Sequence, residues 1–309
     1  MAINETRIAA QTNMSGWVSR HPIASFFMLA YALSWLAWLL PAIGYQGTIG
    51  LVALHVGGFG PALAPAIITW YSGESVREWA RSIIRWRVRP HWYLVALGLP
   101  ILLLGVASIG FALLGHPIDA ALIPDRLVAY LPMLIYMALL QGGNEEPGWR
   151  GFALPRLQDR YAPVPATFLL GVIWAFWHLP LLAANPETQH GTASMLALLP
   201  VVLVTLVNMV ALTYIYTWIY NRTQSVLFCI LLHASMNTTN ALLIPLPNEA
   251  LQGDIYQTLN LVMTGVNVVV AIILVAVTRG RLGYDSIKNT NRVALPTTRS
   301  TMTRKGKAP

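Results

Sequence analysis

Only 32 of the 309 residues are Asp, Glu, Lys or Arg, about 10%, whereas 56% are apolar and the mean hydropathy is +0.56. An ordinary soluble protein is roughly 25% charged, so this composition excludes a water-soluble globule and, more firmly, a disordered chain. The single cysteine, Cys229, excludes a disulfide framework and a cysteine-based zinc site. The composition leaves an all-α polytopic membrane protein.

A spanning helix needs about 20 mostly apolar residues. After a polar N-terminal tail (residues 1–24), the pattern predicts eight spans. They are Ser25 to Ile43, Ile49 to Tyr71, Trp92 to Leu114, Leu127 to Gln141 and beyond, Pro165 to Leu182, Met195 to Tyr220, Ser225 to Ile244, and Tyr256 to Val277. Gly57, Gly58, Gly60, Pro61 and Pro65 interrupt the second span, and the fourth runs into polar sequence. Between the second and third, Glu74 to Arg89 reads as a basic amphipathic segment, with Trp79, Ile83, Ile84 and Trp86 as its apolar contacts. Residues 25–278 form one membrane domain in this reading, and residues 279–309 a basic, disordered tail. The first 24 residues are too long and polar for a signal peptide, so the N-terminus is expected to be retained.

The net charge of +8 is a matter of placement. Eighteen of the 20 basic residues fall in the two tails and in the connections after spans two, four and six. The opposite loops carry only Arg126, and Arg150 lies in a membrane-region motif. Such asymmetry places both termini in the cytoplasm and calls for an even number of spans. The basic excess thus reads as a topology and lipid-headgroup signal, with no nucleic-acid partner.

Titratable groups at membrane depth are costly and mark functional cavities by default. Glu145 and Glu146 follow an apolar run in QGGNEEPGWRGF, and His178 and His233 lie deep in apolar sequence. Pro147 cannot donate to the carbonyl of Gly143 and biases Glu146 away from helix, so a loosened or kinked helix is expected. If the helix resumes, Arg150 stands four residues after Glu146, at ion-pair spacing, leaving Glu145 free for chemistry. The bland alternative ends the span at Gln141 and makes both glutamates interfacial. His178 shares a helix face with Trp174, and His233 with Asn237. A histidine bonded to a neighbouring carbonyl, or polar glue between helices, would explain either pair alone. Together they suggest hydrolysis. A Glu takes a proton from water that an imidazole or a metal orients, while the second His and the amide stabilise an oxyanion or complete a metal shell.

These residues resemble a known family. Glu145-Glu146-x-x-x-Arg150, then Trp174-x-x-x-His178, then His233-x-x-x-Asn237 look like the three motifs of the CPBP intramembrane proteases. That family includes the type II CAAX prenyl endopeptidases and bacterial relatives linked to bacteriocin processing, self-immunity, abortive infection and lysostaphin resistance. The motif region runs from about Leu127 to Ile244. The second motif usually begins with Phe, where this chain has Trp174; the flanking Trp149-Arg150-Gly151 and Trp177-His178 also fit. The resemblance implies an intramembrane endopeptidase acting on a hydrophobic or lipidated peptide. It makes Glu145 the general base on the attacking water, with His178 working beside it. His233 and Asn237 would polarise the scissile carbonyl or support the site, and Glu146 and Arg150 would be structural partners. Glu145, His178 and His233 would be the ligands if zinc or another divalent metal is used, and a metal-free Glu/His mechanism stands beside that. The expected location is a multi-pass membrane protein, in the plasma membrane if the source is bacterial.

His178 is about 13 residues into its span from the cytoplasmic side, about 20 Å, and His233 about 8 residues, about 12 Å. Their spans must therefore tilt or start at different heights to share a cavity between mid-membrane and the cytosolic face. There is no H-E-x-x-H, Gly-x-Ser-Gly or Gly-x-Gly-Asp protease motif. The competing classes are a proton-coupled transporter, disfavoured because no paired broken segments are evident, and a non-catalytic immunity or scaffold protein.

Overall fold

The computed structural model describes residues 16–183, 199–251 and 253–285. Among them every regular element is helical. In chain order these are α1 (Pro22–Ala42), α2 (Gly47–Gly58), α3 (Gly60–Tyr71), α4 (Val76–Ile83), α5 (His91–Leu113), α6 (Ile123–Leu127) and α7 (Tyr130–Met137). There follow α8 (Glu146–Gly148), α9 (Leu154–Gln158), α10 (Pro163–Trp177), α11 (Leu179–Ala183), α12 (Leu199–Thr223), α13 (Val226–Leu242) and α14 (Asp254–Val277). Wider π turns at Ala138–Gly142 and Trp149–Ala153 continue α7 and join α8 to α9.

Among the described residues, five helical stretches are individually long and apolar enough to cross a bilayer: Pro22–Ala42, His91–Leu113, Pro163–Leu182, Leu199–Thr223 and Asp254–Val277. The chain is a multi-pass helical membrane protein. The second predicted span is α2 and α3, bent by 44° where Gly57, Gly58, Gly60 and Pro61 weaken the helix. The fourth is Ala120–Leu127 and Tyr130–Gly142, bent by 72°, where Pro132 cannot donate to the carbonyl of Val128. Two broken spans therefore exist where the sequence pattern suggested none in paired form. The seventh, α13, has only 17 residues. The predicted start of the sixth span at Met195 lies outside the described residues.

The short α13 lies at the centre of the bundle, packed against α5, α7 and α12. It is buried on almost every side, from Phe228, Cys229 and Leu232 to Ala234, Ser235 and Thr239. Enclosed by other helices, it has no lipid-facing stripe, and its buried polar residues, His233, Ser235, Thr238 and Thr239, face protein.

Two segments depart from the sequence reading. The amphipathic helix covers only α4, capped where the Ser75 hydroxyl accepts from Glu78 N at 3.2 Å. The helix ends at Ile83 and residues 84–90 follow as irregular chain, with Pro90 disfavouring helical geometry at Arg89. At the other end, residues 279–285 pack on α12: Leu282 is buried and its carbonyl accepts from Asn221 Nδ2 at 3.1 Å. The predicted disorder further on falls outside the described residues, as do residues 1–15 of the polar N-terminal tail.

Candidate active site

The fourth span neither ends at Gln141 nor continues as a regular helix. The chain passes through the π turn, a tight turn at residues 143–145, and α8. Gly142 allows this segment to lie directly on α13, since a Cβ there would sit 2.8 Å from the Ile230 carbonyl oxygen and 3.2 Å from His233 Cβ. Gly148 likewise faces the Pro61 carbonyl on α3 at a distance that no side chain would permit. Two glycines thus seat the glutamates between the broken second span and the central helix.

Both glutamates are buried, Glu146 completely. Arg150, also fully buried, donates from Nη1 to both Glu146 oxygens at 2.8 and 3.1 Å. Its guanidinium lies 4.6 Å from the Trp174 ring centroid and 4.3 Å from that of Tyr216. Those ring faces stabilise a cation whose Nε and Nη2 have no hydrogen-bond partner among the described residues. His233 Nδ1 donates to Glu146 Oε1 at 2.9 Å, because a carboxylate oxygen only accepts. Glu146 is thereby saturated by Arg150 and His233.

Glu145 has different neighbours. Its Oε2 accepts from Trp174 Nε1 at 2.7 Å and from Trp149 Nε1 at 3.3 Å. Its Oε1 is 3.9 Å from His233 Nε2. One carboxylate oxygen is anchored by two indoles while the other remains available. His178 caps α10, and its Nδ1 donates to the Trp174 carbonyl at 2.8 Å. The carbonyl bond expected of a merely structural histidine is therefore present, but it uses one nitrogen only; in the neutral ring Nε2 keeps a free lone pair. Asn237 Nδ2 donates to Gln141 Oε1 at 2.6 Å, which leaves its second N–H unspent.

Glu145, His178, His233 and Asn237 line one cavity of about 480 Å³. The Trp174 ring stands between the two histidines, its centroid 5.7 Å from His178 and 5.8 Å from His233. His178 follows 15 residues of α10 and His233 is eight residues into α13, so their helix ends are staggered by about 10 Å. The sequence reading overlooked Gln141, His55, Tyr136 and Asn208, which share the cavity wall. Gln141 had a signal, standing four residues before Glu145; His55 and Asn208 are lone polar residues in apolar helices. His55 Nε2 meets the Tyr136 hydroxyl at 2.5 Å, tying the second span to the fourth.

Among the described residues no three His, Cys, Asp or Glu side chains converge as a metal-ligand set. Each of the three expected ligands is tied down through one atom only, Glu145 through Oε2, His178 through Nδ1 and His233 through Nδ1, which leaves Glu145 Oε1, His178 Nε2 and His233 Nε2 uncommitted.

Fold and site together define a polytopic helical membrane protein with a buried carboxylate–imidazole–amide cavity. Residues 127–239, which contain every motif residue above, match the sequence model of the Rce1-like type II CAAX prenyl endopeptidases. A curated relative, CAAX prenyl protease 2 of Methanococcus maripaludis, is 32% identical over 125 residues, covering 37% of this chain and 41% of that protein. The match thus spans about two fifths of the curated relative. Both findings bear out the resemblance carried by the three motifs.

Proposed function

We propose that the chain is an intramembrane endopeptidase that hydrolyses a peptide bond of a hydrophobic or lipidated substrate. The observation that carries this reading is the asymmetric environment of Glu145, with one oxygen anchored by two indole N–H groups and the other open to a cavity shared with His178 and His233. A water held by Glu145 Oε1 and His178 Nε2 loses its proton to Glu145 and attacks the scissile carbonyl carbon. The carbonyl oxygen becomes an oxyanion, met by the unspent N–H of Asn237 and by His233. His233 donates from Nε2 only as an imidazolium, because its Nδ1 proton is held on Glu146. The proton on Glu145 then passes to the leaving amine as the C–N bond breaks. A divalent ion, were one bound, would be held by Glu145 Oε1, His178 Nε2 and His233 Nε2 and would acidify the water. Cleavage that survives a chelator would support water activation by Glu145 and His178 alone; loss on chelation and recovery on adding zinc would show that an ion takes part.

The test is cleavage of a library of hydrophobic and prenylated peptides by the reconstituted chain, compared with Glu145→Ala and His178→Ala. Both variants are expected to be inactive, and wild-type cleavage by both would overturn the site. The two broken spans, both of which border the cavity, also suit a proton-coupled carrier. A Glu145-dependent solute flux without peptide cleavage would favour that second reading.

A further inference from the structure

A second cavity, of about 670 Å³, opens where the segment 84–90 enters α5 beside the end of α12. Arg85, Arg87, Arg89 and His91 line it from one side and Arg222 from the other, about 130 positions away in sequence. Among the described residues no ion pair joins Arg85, Arg87 or Arg89 to a carboxylate. The segment that carries them is held in place: Ser225 Oγ donates to the Arg85 carbonyl at 2.6 Å and the Tyr93 hydroxyl to the Trp86 carbonyl at 2.7 Å. The inner wall is apolar and aromatic, with Val88, Val95 and the edge-to-face pair Trp92–Trp218, centroids 5.1 Å apart.

Topology alone requires that basic residues lie on one side of the membrane; it does not require that they converge on one hollow from two distant segments. Guanidinium groups recognise phosphate oxygens through paired N–H donors. Tryptophans beside apolar residues mark the level at which a headgroup meets its acyl chains. We infer that this cavity binds the phosphate of an anionic phospholipid, with the arginines on the headgroup and the Trp92–Trp218 wall against the glycerol and first acyl carbons. A soluble phosphate ester shares the phosphate chemistry but has nothing to place against that wall. The inference does not depend on whether the chain is a peptidase.

Native mass spectrometry of the full chain in detergent, with equal amounts of dioleoyl phosphatidylglycerol and dioleoyl phosphatidylcholine, tests it. Wild type is expected to retain the anionic lipid. Combining Arg87→Gln, Arg89→Gln and Arg222→Gln should weaken retention roughly a hundredfold, at about fivefold per charge. A control with the same charge loss in the tail, Arg304→Gln, Lys305→Gln and Lys307→Gln, should retain the lipid. Unchanged melting of the first variant shows that it is folded. Equal retention by both variants, or equal binding of both lipids by wild type, would overturn the site. Displacement of the lipid by millimolar glycerol 3-phosphate would overturn the lipid assignment in favour of a soluble ester.

Discussion

Trp174 does more than fill the aromatic position of its motif. Its indole N–H is the shorter of the two donors on Glu145, its ring faces the Arg150 guanidinium, and its carbonyl fixes His178. A hydrogen bond to a charged group is worth about 1.5–3 kcal/mol. Trp174→Phe keeps an aromatic face but loses the N–H and the fused pyrrole, so kcat should fall roughly tenfold or more with a modest loss of melting temperature; an unchanged kcat would show that the ring only fills space. Arg150 acts differently. Arg150→Ala leaves the buried Glu146 charge without its cation and should destabilise the fold by about 3–5 kcal/mol. Combining Glu146→Gln with Arg150→Met should recover much of that in thermal unfolding. The i, i+4 spacing made the Glu146–Arg150 pair legible in the sequence, because helix geometry alone brings those residues together. Of the indole donors, Trp149 stands at the same i, i+4 spacing from Glu145, but Trp174 is 29 positions away, and nothing in the sequence shows that both reach one carboxylate oxygen.

Among the elements, the decisive ones are irregular. The π turn at Ala138–Gly142 and the bend at Gly58 to Gly60 bring polar groups to the cavity that straight helices would bury against neighbours or expose to lipid. Irregular backbone at this depth is tolerable because it borders protein and cavity. The Gly142–α13 contact makes this testable. Gly142→Ala forces a methyl against the Ile230 carbonyl, which should cost about 1–3 kcal/mol and move Glu145 relative to His233. Lowered stability and lowered cleavage together are expected; unchanged values of both would show that the contact is slack. The sequence indicated both breaks through their glycines and prolines, but not their angles, which depend on the elements packed against them. The basic segment after α3 was misjudged for a similar reason. Periodicity suggested one amphipathic run, whereas Pro90 and the bond from Ser225 to Arg85 hold its second half out of the helix.

At the scale of the whole molecule, composition and the 20-residue period were enough to place the apolar segments, because the bilayer imposes length and hydropathy on each one. Orientation rests on the basic residues, eighteen against one across the alternate connections. Both termini are expected on the cytoplasmic side. Cys229 is buried and is the chain's one cysteine, so a Cys229→Ala background with single cysteines at Ser15 or Thr303 reports the side of each end. Labelling of either position by a membrane-impermeant maleimide from outside intact cells would reverse the assignment.

The central claim is that Glu145 takes the proton from the attacking water, and the isosteric Glu145→Gln variant tests it most directly. Its amide oxygen can still accept from Trp149 and Trp174, so the cavity should keep its shape while the base is lost. General-base catalysis contributes roughly 10²- to 10⁴-fold. Cleavage of a peptide that wild type turns over should therefore fall by at least about a hundredfold in single-turnover assays, with wild-type melting retained. Cleavage at the wild-type rate would contradict the assignment.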